Sequence, residues 1–264
     1  MSLGVTSSLR PAQTASAPER LAQPSADFAA KLAETEALLQ EAARDWQPLT
    51  QASSLGAEDV VITHLIGQLA LEIPVFVLDT GALHTETLAL LERTLAYSPV
   101  PVQVYRPETS QVLALVRAQG QDGIYQSQAQ RKACCQVRKM VPLAQALAGQ
   151  RAWITGLRRE QSSARAEVPL IDDSELSSKG LTKFNPLANW TWGDVWHYIA
   201  QNQVDYNPLH DRFFPSIGCA PCTRAIAMGE DFRAGRWWWE QEGAKECGLH
   251  VKADETVSII GERA

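Results

Sequence analysis

Short, mostly apolar runs alternate along this chain with amphipathic stretches of helical period, and this alternation restricts the possible folds more than any other feature. The runs short enough to be buried strands are Pro74–Leu78, Val102–Tyr105 and Ala152–Thr155. Apolar residues recur at helical spacing over Ala29–Trp46, Val60–Leu71 and His84–Tyr97. Strands separated by helices at this spacing need crossover connections, so the sequence predicts an α/β fold in which helices flank a mostly parallel sheet.

This pattern continues to residue 156 and then stops. Further helices are predicted over Cys134–Ala148 and Trp192–Gln201, but residues 157–179 are polar and three prolines interrupt the stretch from 207 to 239. No linker rich in Gly, Ser or Pro divides residues 29–250. We therefore expect one domain, over residues 28–243, with an irregular C-terminal section.

Composition excludes several classes of protein. The 264 residues are 45% hydrophobic and 20% charged, which is typical of a globular chain long enough to bury a sizeable core. The formal net charge of −6 argues against a nucleic-acid-binding protein that relies on overall basicity. No stretch reaches the ~18 consecutive apolar residues that a membrane span needs. We expect neither a nucleic-acid partner nor a membrane partner.

The N-terminus and the cysteine count bear on the compartment. Residues 1–27 are rich in Ala, Ser, Pro and Gln and nearly free of acids, which predicts a disordered extension; a short organelle transit peptide is the alternative. No basic segment followed by an apolar one is present, so a secretory signal is not expected. Five cysteines are an odd number that does not suit a closed disulfide framework. These features favour a reducing, cytoplasmic location.

Three loops that follow predicted strands or precede helices are candidates for a binding site, because parallel sheets bind ligands at the carboxyl ends of their strands. Ser53–Gly56 precedes a helix and offers hydroxyl and backbone N–H groups to an anion. Leu78–Gly81 could present backbone groups to a base, and Gly156–Arg159 places two cations at a strand end. Taken singly, these strings are equally typical of a helix cap, a turn and a solvent-facing arginine pair.

The cysteines form two pairs. Cys134 and Cys135 are adjacent, and Cys219 and Cys222 have C-x-x-C spacing in a proline-containing loop. Two pairs make a four-thiolate metal site plausible, and an adjacent pair is unusual for a zinc ribbon, so we favour an iron–sulfur site over zinc, with four unlinked buried thiols as the third interpretation. Four cations surround the first pair and could offset an anionic cluster or face an anionic ligand: Arg131, Lys132, Arg138 and Lys139.

Cys247 is the thiol left over from this four-ligand set. Gly248 follows it, and Lys245 and His250 are near it in sequence, as is typical of an exposed thiolate activated by nearby cations. An idle surface cysteine is an equally good interpretation of these residues alone.

Eight strings, taken together and in this order, closely resemble the iron–sulfur type of assimilatory adenylyl-sulfate (APS) reductases of the PAPS/APS reductase family. They span about residues 50–250 and are Ser53–Asp59, Val77–Gly81, Cys134–Lys139, Thr155–Gln161, Lys183–Leu187, Gly218–Arg224, Gly235–Glu240 and Lys245–His250. The first string reads Ser-Ser-Leu-Gly where many relatives have Ser-Phe-Ser-Gly. The resemblance implies an adenine-nucleotide α-hydrolase-like (PP-loop) fold.

The resemblance also implies roles for particular residues. Cys247 would be the catalytic nucleophile, and a [4Fe–4S] cluster would be held by Cys134, Cys135, Cys219 and Cys222. The substrate-binding residues would be Ser53, Ser54, Gly56, Leu78, Lys139, Gly156, Arg165, Arg233, Arg236 and His250. Separately, Gly243 and Gly248 allow the backbone to bend on either side of Cys247, which predicts that residues 244–264 are a mobile segment that carries this cysteine.

The implied reaction is the reduction of adenosine 5′-phosphosulfate to sulfite and AMP in sulfate assimilation and cysteine biosynthesis. Cys247 would attack the sulfonyl sulfur to give an S-sulfocysteine, and thioredoxin would then release sulfite through a transient mixed disulfide. The alternatives are a reductase for 3′-phosphoadenosine phosphosulfate (PAPS), a PP-loop ATP pyrophosphatase and a non-catalytic metal-cluster sensor. The sequence leaves open whether the chain forms a homo-oligomer.

Overall fold

The computed structural model describes residues 15–240, and its strands there form a single sheet. The strands are β1 (Leu49–Ser53), β2 (Val75–Leu78), β3 (Val102–Tyr105), β4 (Ala152–Ile154), β5 (Ile171–Asp172) and β6 (Thr182–Phe184). Their order across the sheet is β3-β2-β1-β4-β6-β5, and all neighbours are parallel except the edge pair of β5 and β6. The predicted mostly parallel α/β sheet is therefore confirmed.

Nine α-helices are described over the same range. They are α1 (Ala17–Leu21), α2 (Phe28–Asp45), α3 (Ala57–Gln68), α4 (Thr85–Tyr97), α5 (Thr109–Gln119), α6 (Gln128–Cys135), α7 (Val141–Leu147), α8 (Leu176–Lys179) and α9 (Trp192–Asn202). A π-helical turn, Gln136–Met140, joins α6 to α7. None of the helices in this part of the chain is both long and apolar enough to cross a membrane.

Alternate strand residues face two different layers of helices. Val75 and Val77 of β2, with Ile154 of β4, belong to the large core that α2, α3, α4 and α9 complete. Phe76 and Trp153 point to the opposite face and pack in a smaller core against α7. This period of two is the strand geometry itself, and it explains why these runs are apolar at every position.

β1 was not predicted, and its composition explains why. The strand reads Leu-Thr-Gln-Ala-Ser, yet Thr50 and Gln51 are buried. The structure satisfies both side chains: Thr50 donates to the carbonyl of Pro74 (3.0 Å), and Gln51 donates to the carbonyl of Asp59 (2.8 Å). A hydrogen-bonded polar side chain is tolerated in a core, so apolar patterning alone misses this strand.

Two predictions about the ends of elements were wrong. Cys134 and Cys135 do not open a helix; they are the last residues of α6, because Ser127 caps that helix earlier, with its side chain accepting from the N–H of Gln130 (3.2 Å). The predicted disordered extension over residues 1–27 is also wrong for residues 15–27. There α1 packs on α9, and Ser25 donates through its N–H to the buried carboxylate of Asp194 (2.7 Å). Residues 1–14 lie outside the described range.

The strand order reverses between β1 and β4. From β1 the chain moves outward to β2 and β3, and it then returns to place β4 on the other side of β1. The loops that leave these two strands therefore diverge and open a crevice outside their carboxyl ends. In open α/β sheets this is where ligands bind.

Candidate active site

A cavity of about 220 Å³ lies at this reversal point. β1 contributes Ser53 to its wall, and the loop after β4 contributes Thr155 and Gly156. The turn between α6 and α7 and the irregular stretch from 210 to 237 close the remaining sides. The site is thus built from segments that are far apart in sequence and that meet only in the fold.

Most of the predicted site residues line this cavity. They are Ser53, Ser54, Gly56, Leu78, Cys135, Lys139, Gly156, Arg165, Cys219, Cys222, Arg233 and Arg236. Cys134 lies behind the wall, packed with Cys219 against Cys222 and Trp237. Cys247, His250 and the predicted mobile segment 244–264 lie outside the described residues.

The loop from β1 to α3 is shaped to receive an anion. Leu55 has a positive φ of 61°, and its side chain is buried. Gly56 then begins α3 with no side-chain cap, so no neighbouring side chain accepts from the first-turn N–H groups. Uncapped N–H groups and the helix dipole together favour a negatively charged ligand at such a terminus.

The two serines of this loop differ in what they can offer a ligand. Ser54 donates to one carboxylate oxygen of Asp59 through both its N–H and its hydroxyl, each at 2.6 Å. The Ser53 hydroxyl instead accepts from the N–H of Leu55 at 3.2 Å, so its own hydrogen is left for another acceptor. Ser53 is therefore the hydroxyl that can donate to a bound anion.

Asp59 holds the loop and the β4 strand end together. Its carboxylate also accepts from the backbone N–H of Gly156, and burial raises its pKa to about 6 despite these hydrogen bonds. A Cβ atom on Gly156 would lie 2.4 Å from Asp59 Oδ1 and 2.8 Å from the Cβ of Glu58. Only glycine allows this close approach between the β4 loop and the start of α3.

A buried charge network lies beside this contact. Arg158 is fully buried and donates through Nε to Glu58 (2.9 Å) and through Nη1 to Glu160 (2.7 Å). Gln161 donates to the same oxygen of Glu58 (2.9 Å) and accepts from Arg165 Nη1 (2.6 Å). Through Gln161, the network fixes the cavity-lining residue Arg165 relative to α3.

Cations form the opposite wall. Arg236 Nη1 donates to the Ser216 hydroxyl (3.2 Å), and its guanidinium lies 4.8 Å from the centre of the Trp237 ring. The Lys139 side chain lines the cavity and makes no hydrogen bond or ion pair with any other residue of the range 15–240. With Arg165 and Arg233, these side chains give the cavity a positive wall in a chain of net negative charge.

The four cysteines occupy one neighbourhood at the edge of this wall. Burial, together with charge on Cys219, Cys135 and Cys134, raises the pKa of Cys222 to about 12. Burial also raises the pKa of Cys134, which nearby Arg138 opposes. In the described range no group of three or more Cys, His, Asp or Glu side chains is arranged to hold a single metal ion. Four thiols near one another nonetheless match an iron–sulfur cluster in donor type and number.

His210 was not anticipated from the sequence. It borders the cavity, and its ring packs against those of Trp192 (5.9 Å between centroids) and Trp196 (5.2 Å). Burial lowers its pKa to about 4, so the imidazole is neutral at pH 7. A lone histidine in an irregular stretch gives no sequence signal. Glu58 and Asp59 could have been noticed as acids placed directly after the Ser53–Gly56 loop.

Comparison with known proteins agrees with this geometry. The family model for the phosphoadenosine phosphosulfate reductase domain matches residues 48–225. The chain is 51% identical over 213 residues to an adenosine 5′-phosphosulfate reductase of Allochromatium vinosum, covering 81% of this chain and 82% of the relative. It is 50% identical over 200 residues to the enzyme of that name from Neisseria meningitidis serogroup B, covering 75% and 80%.

Solved structures share the fold. The crystal structure of a phosphoadenylyl-sulfate (PAPS) reductase from Candida auris, a phosphate complex, matches with a TM-score of 0.61 at 26% identity, over 73% of this chain and 90% of that one. An FMN adenylyltransferase from Candida glabrata matches with a TM-score of 0.54 at 13% identity, over 90% and 86%, and shows the fold alone. These matches confirm the predicted PP-loop-like architecture. The chain belongs to the phosphoadenosine phosphosulfate reductase domain family.

Proposed function

We propose that this protein is an APS reductase that converts adenosine 5′-phosphosulfate to sulfite and AMP in sulfate assimilation and cysteine biosynthesis. The observation that carries the proposal is that an anion-binding loop, a cationic wall and two cysteine pairs meet around one cavity at the strand reversal. Relatives at about half identity are named for this substrate. The composition of the cavity and the names of the relatives therefore support the same function.

The cavity residues would bind the nucleotide in two parts. Leu78 and Gly156, at the ends of β2 and β4, hold the adenosine, while Ser53, Ser54 and Gly56 meet the phosphate. Lys139, Arg165, Arg233 and Arg236, with His250, surround the phosphosulfate. Negative charge develops on the bridging oxygen as the S–O bond breaks, and fixed cations lower the barrier to that step.

Cys247 would carry out the transfer. Its thiolate attacks the sulfonyl sulfur, the S–O bond breaks, and AMP leaves with the bonding electron pair. A thioredoxin thiolate then attacks Cys247 Sγ, and sulfite leaves with the electrons of the S–S bond. The second thioredoxin cysteine resolves the mixed disulfide, so the two electrons come from the thioredoxin dithiol. A cytoplasmic location suits this reductant.

Cys134, Cys135, Cys219 and Cys222 would hold a [4Fe–4S] cluster. Each thiolate of such a cluster binds a different iron, so its ligands lie farther apart than those of a single ion. When bound, the cluster supplies a fixed charge that polarises the substrate site. The cationic residues Arg131 and Arg138 beside the cysteines support this proposal, because they offset the charge of the thiolates.

The decisive experiment follows the catalytic thiol. Protein prepared without oxygen and incubated with APS, but without reductant, should gain one sulfonate on the peptide that contains Cys247, as measured by mass spectrometry. Cys247→Ser should form no sulfite while binding APS as wild type does, because a serine hydroxyl at neutral pH is a far weaker nucleophile than a thiolate. An adduct on another cysteine, or a fully active Cys247→Ser variant, would overturn the mechanism.

PAPS is the alternative substrate, favoured by the description of the matched family model and by the Candida auris structure. We place APS first because the two cysteine pairs are present and because the curated relatives are named for APS. Measuring kcat/KM for both nucleotides with the same reductant separates the two. A higher value for PAPS would reverse the assignment.

A further inference from the structure

Arg131 links the cysteine-bearing helix to the last residues that the structure describes. It lies on α6, one turn before Cys134 and Cys135, and it is 1% exposed. Its Nε and Nη2 donate to the two carboxylate oxygens of Glu240 at 2.8 and 2.7 Å. The Glu240 side chain is itself only 7% exposed, so the two groups form a buried, bidentate ion pair.

The same guanidinium makes two further contacts. It lies 4.5 Å from the centre of the Trp237 ring, and it also hydrogen-bonds to the side chain of Cys135. The N–H of Trp237 donates to the carbonyl of Cys222 (3.1 Å). Arg131 is thus in contact with a residue of the first cysteine pair and with the segment that packs on the second.

Glu240 has a special place in the chain because Cys247 follows it by seven residues. A seven-residue segment spans at most about 25 Å when fully extended. The position at which Glu240 is fixed therefore limits how far from the cysteine pairs the Cys247 thiol can lie. A tether with a fixed origin raises the effective concentration of the group that it carries.

We propose that Arg131 and Glu240 are a positioning pair for Cys247, fixing the origin of its tether beside the cysteine pairs. This inference rests on the proposed function, in which Cys247 is the nucleophile. Neither residue touches the substrate in this proposal. Both act by fixing the position of the chain at Glu240, seven residues before the thiol. Their effect should therefore appear in the rate of sulfur transfer and not in the affinity for APS.

The test measures the single-turnover rate of the sulfonate adduct on Cys247, with APS and no reductant. Glu240→Gln should slow this rate about tenfold or more, because small errors in placement have large effects on a positioned reaction. The Kd for APS, measured in a Cys247→Ser background, should stay within about twofold. Asp205→Asn, which breaks an exposed bidentate pair with Arg93, is the matched control and should leave the rate unchanged.

A second variant separates positioning from simple stabilisation. Replacing a buried ion pair by apolar side chains often restores stability, so Arg131→Met combined with Glu240→Met should regain the wild-type melting temperature yet keep the slow transfer rate. If the pair only stabilises the fold, the rate returns with the stability. Iron and sulfide content is measured on every variant, and loss of iron from Glu240→Gln would also overturn the proposal, because the pair would then serve the cysteine site.

The same experiment distinguishes failure of the inference from failure of the proposed function. If wild-type protein forms no adduct on Cys247, the proposed function is wrong. If wild type forms the adduct and Glu240→Gln forms it at the same rate, the function stands and the positioning pair does not.

Discussion

The contact between the Gly156 backbone and the Asp59 carboxylate fixes the relative position of two loops that line the cavity. The close approach of Gly156 to Asp59 and Glu58 joins the β4 loop to the start of α3, the two elements that flank the cavity. The Asp59 carboxylate is held by hydrogen bonds from Ser54, and the Glu58 neighbour is its Cβ atom, so the contact has little room to adjust. At this scale the chemistry of the site depends on one missing methyl group.

We expect Gly156→Ala to weaken APS binding about tenfold or more. The added Cβ would lie 2.4 Å from Asp59 Oδ1, so either the loop or the helix start must move away from the ligand. Equilibrium binding of APS in a Cys247→Ser background measures this effect. Gly120→Ala is the control: that glycine has a positive φ of 74° and open space around it, so its substitution should cost about 1 kcal/mol of stability without changing affinity.

Asp59 should make stability fall as the pH rises from about 4 to 6. The folded state raises its pKa to about 6 from an ordinary value of 3.8, so the folded protein keeps this proton after the unfolded chain has released it. Relative to wild type, Asp59→Asn should gain about 2–3 kcal/mol over this interval, because it removes the ionisation. Urea unfolding at a series of pH values measures the difference.

Asp194 provides the opposite case. Hydrogen bonds from Ser25 and Thr191 outweigh its desolvation and lower its pKa to about 2, so its contribution to stability is present above pH 4 and is lost as the pH falls toward 2. Asp194→Asn should therefore differ most from wild type at neutral pH.

Unfolding curves of wild type and Asp59→Asn that stay parallel from pH 4 to 7 would contradict the assignment for Asp59.

Adjacent residues of one loop can have unlike roles, as Arg158 and Arg159 do in the loop after β4. Arg158 is buried between Glu58 and Glu160, whereas Arg159 is exposed and donates to the carbonyl of Val168. The sequence presents them as one cationic pair at a strand end. Only the turn after β4 determines which of them points into the molecule.

Arg158→Met should destabilise the fold by about 3–5 kcal/mol, because it leaves Glu58 buried without its cation. Arg159→Met adds the same side chain one residue later, in an exposed place, and should change stability by about 0.5 kcal/mol or less. The free energy of unfolding in urea compares the two variants. Equal losses would show that the Arg158 network does not support the start of α3.

Prediction from sequence succeeded where the buried residues are apolar and was wrong where they are polar. The apolar residues Val75 and Val77 predicted β2. β1 was missed because two of its buried residues, Thr50 and Gln51, are polar. The cavity-lining serines, arginines and cysteines followed from the family resemblance. The place of His210 at the cavity did not, because it depends on packing against Trp192 and Trp196 that arises only in the folded chain.

At the scale of the whole molecule, α1 contacts the irregular stretch around residue 210. Arg20 of α1 donates to the carbonyls of His210 (3.0 Å) and Asp211 (3.1 Å), and its guanidinium lies 4.4 Å from the centre of the Phe213 ring. The N-terminal helix thus supports the stretch that carries His210 to the cavity. This contact could not be predicted from sequence because α1 has only five residues.

Arg20→Ala should lower the melting temperature by about 2–8 °C, since it removes about 1–3 kcal/mol of charge-assisted hydrogen bonding and ring contact. Arg44→Ala is the control, because Arg44 is exposed and pairs with the adjacent Asp45. Thermal unfolding followed by circular dichroism compares them. A shift no larger than that of Arg44→Ala would show that α1 does not support the C-terminal stretch.

The distance in sequence between the two cysteine pairs means that the ribosome makes the first pair well before the second. Cys219 leaves the ribosome 84 residues after Cys135, a delay of roughly 4–17 s at about 5–20 residues per second. During that interval the adjacent thiols of the first pair have no partners for a shared site. The nascent chain therefore passes through a period in which it carries half of its thiol set, and this period is longest when translation is slow.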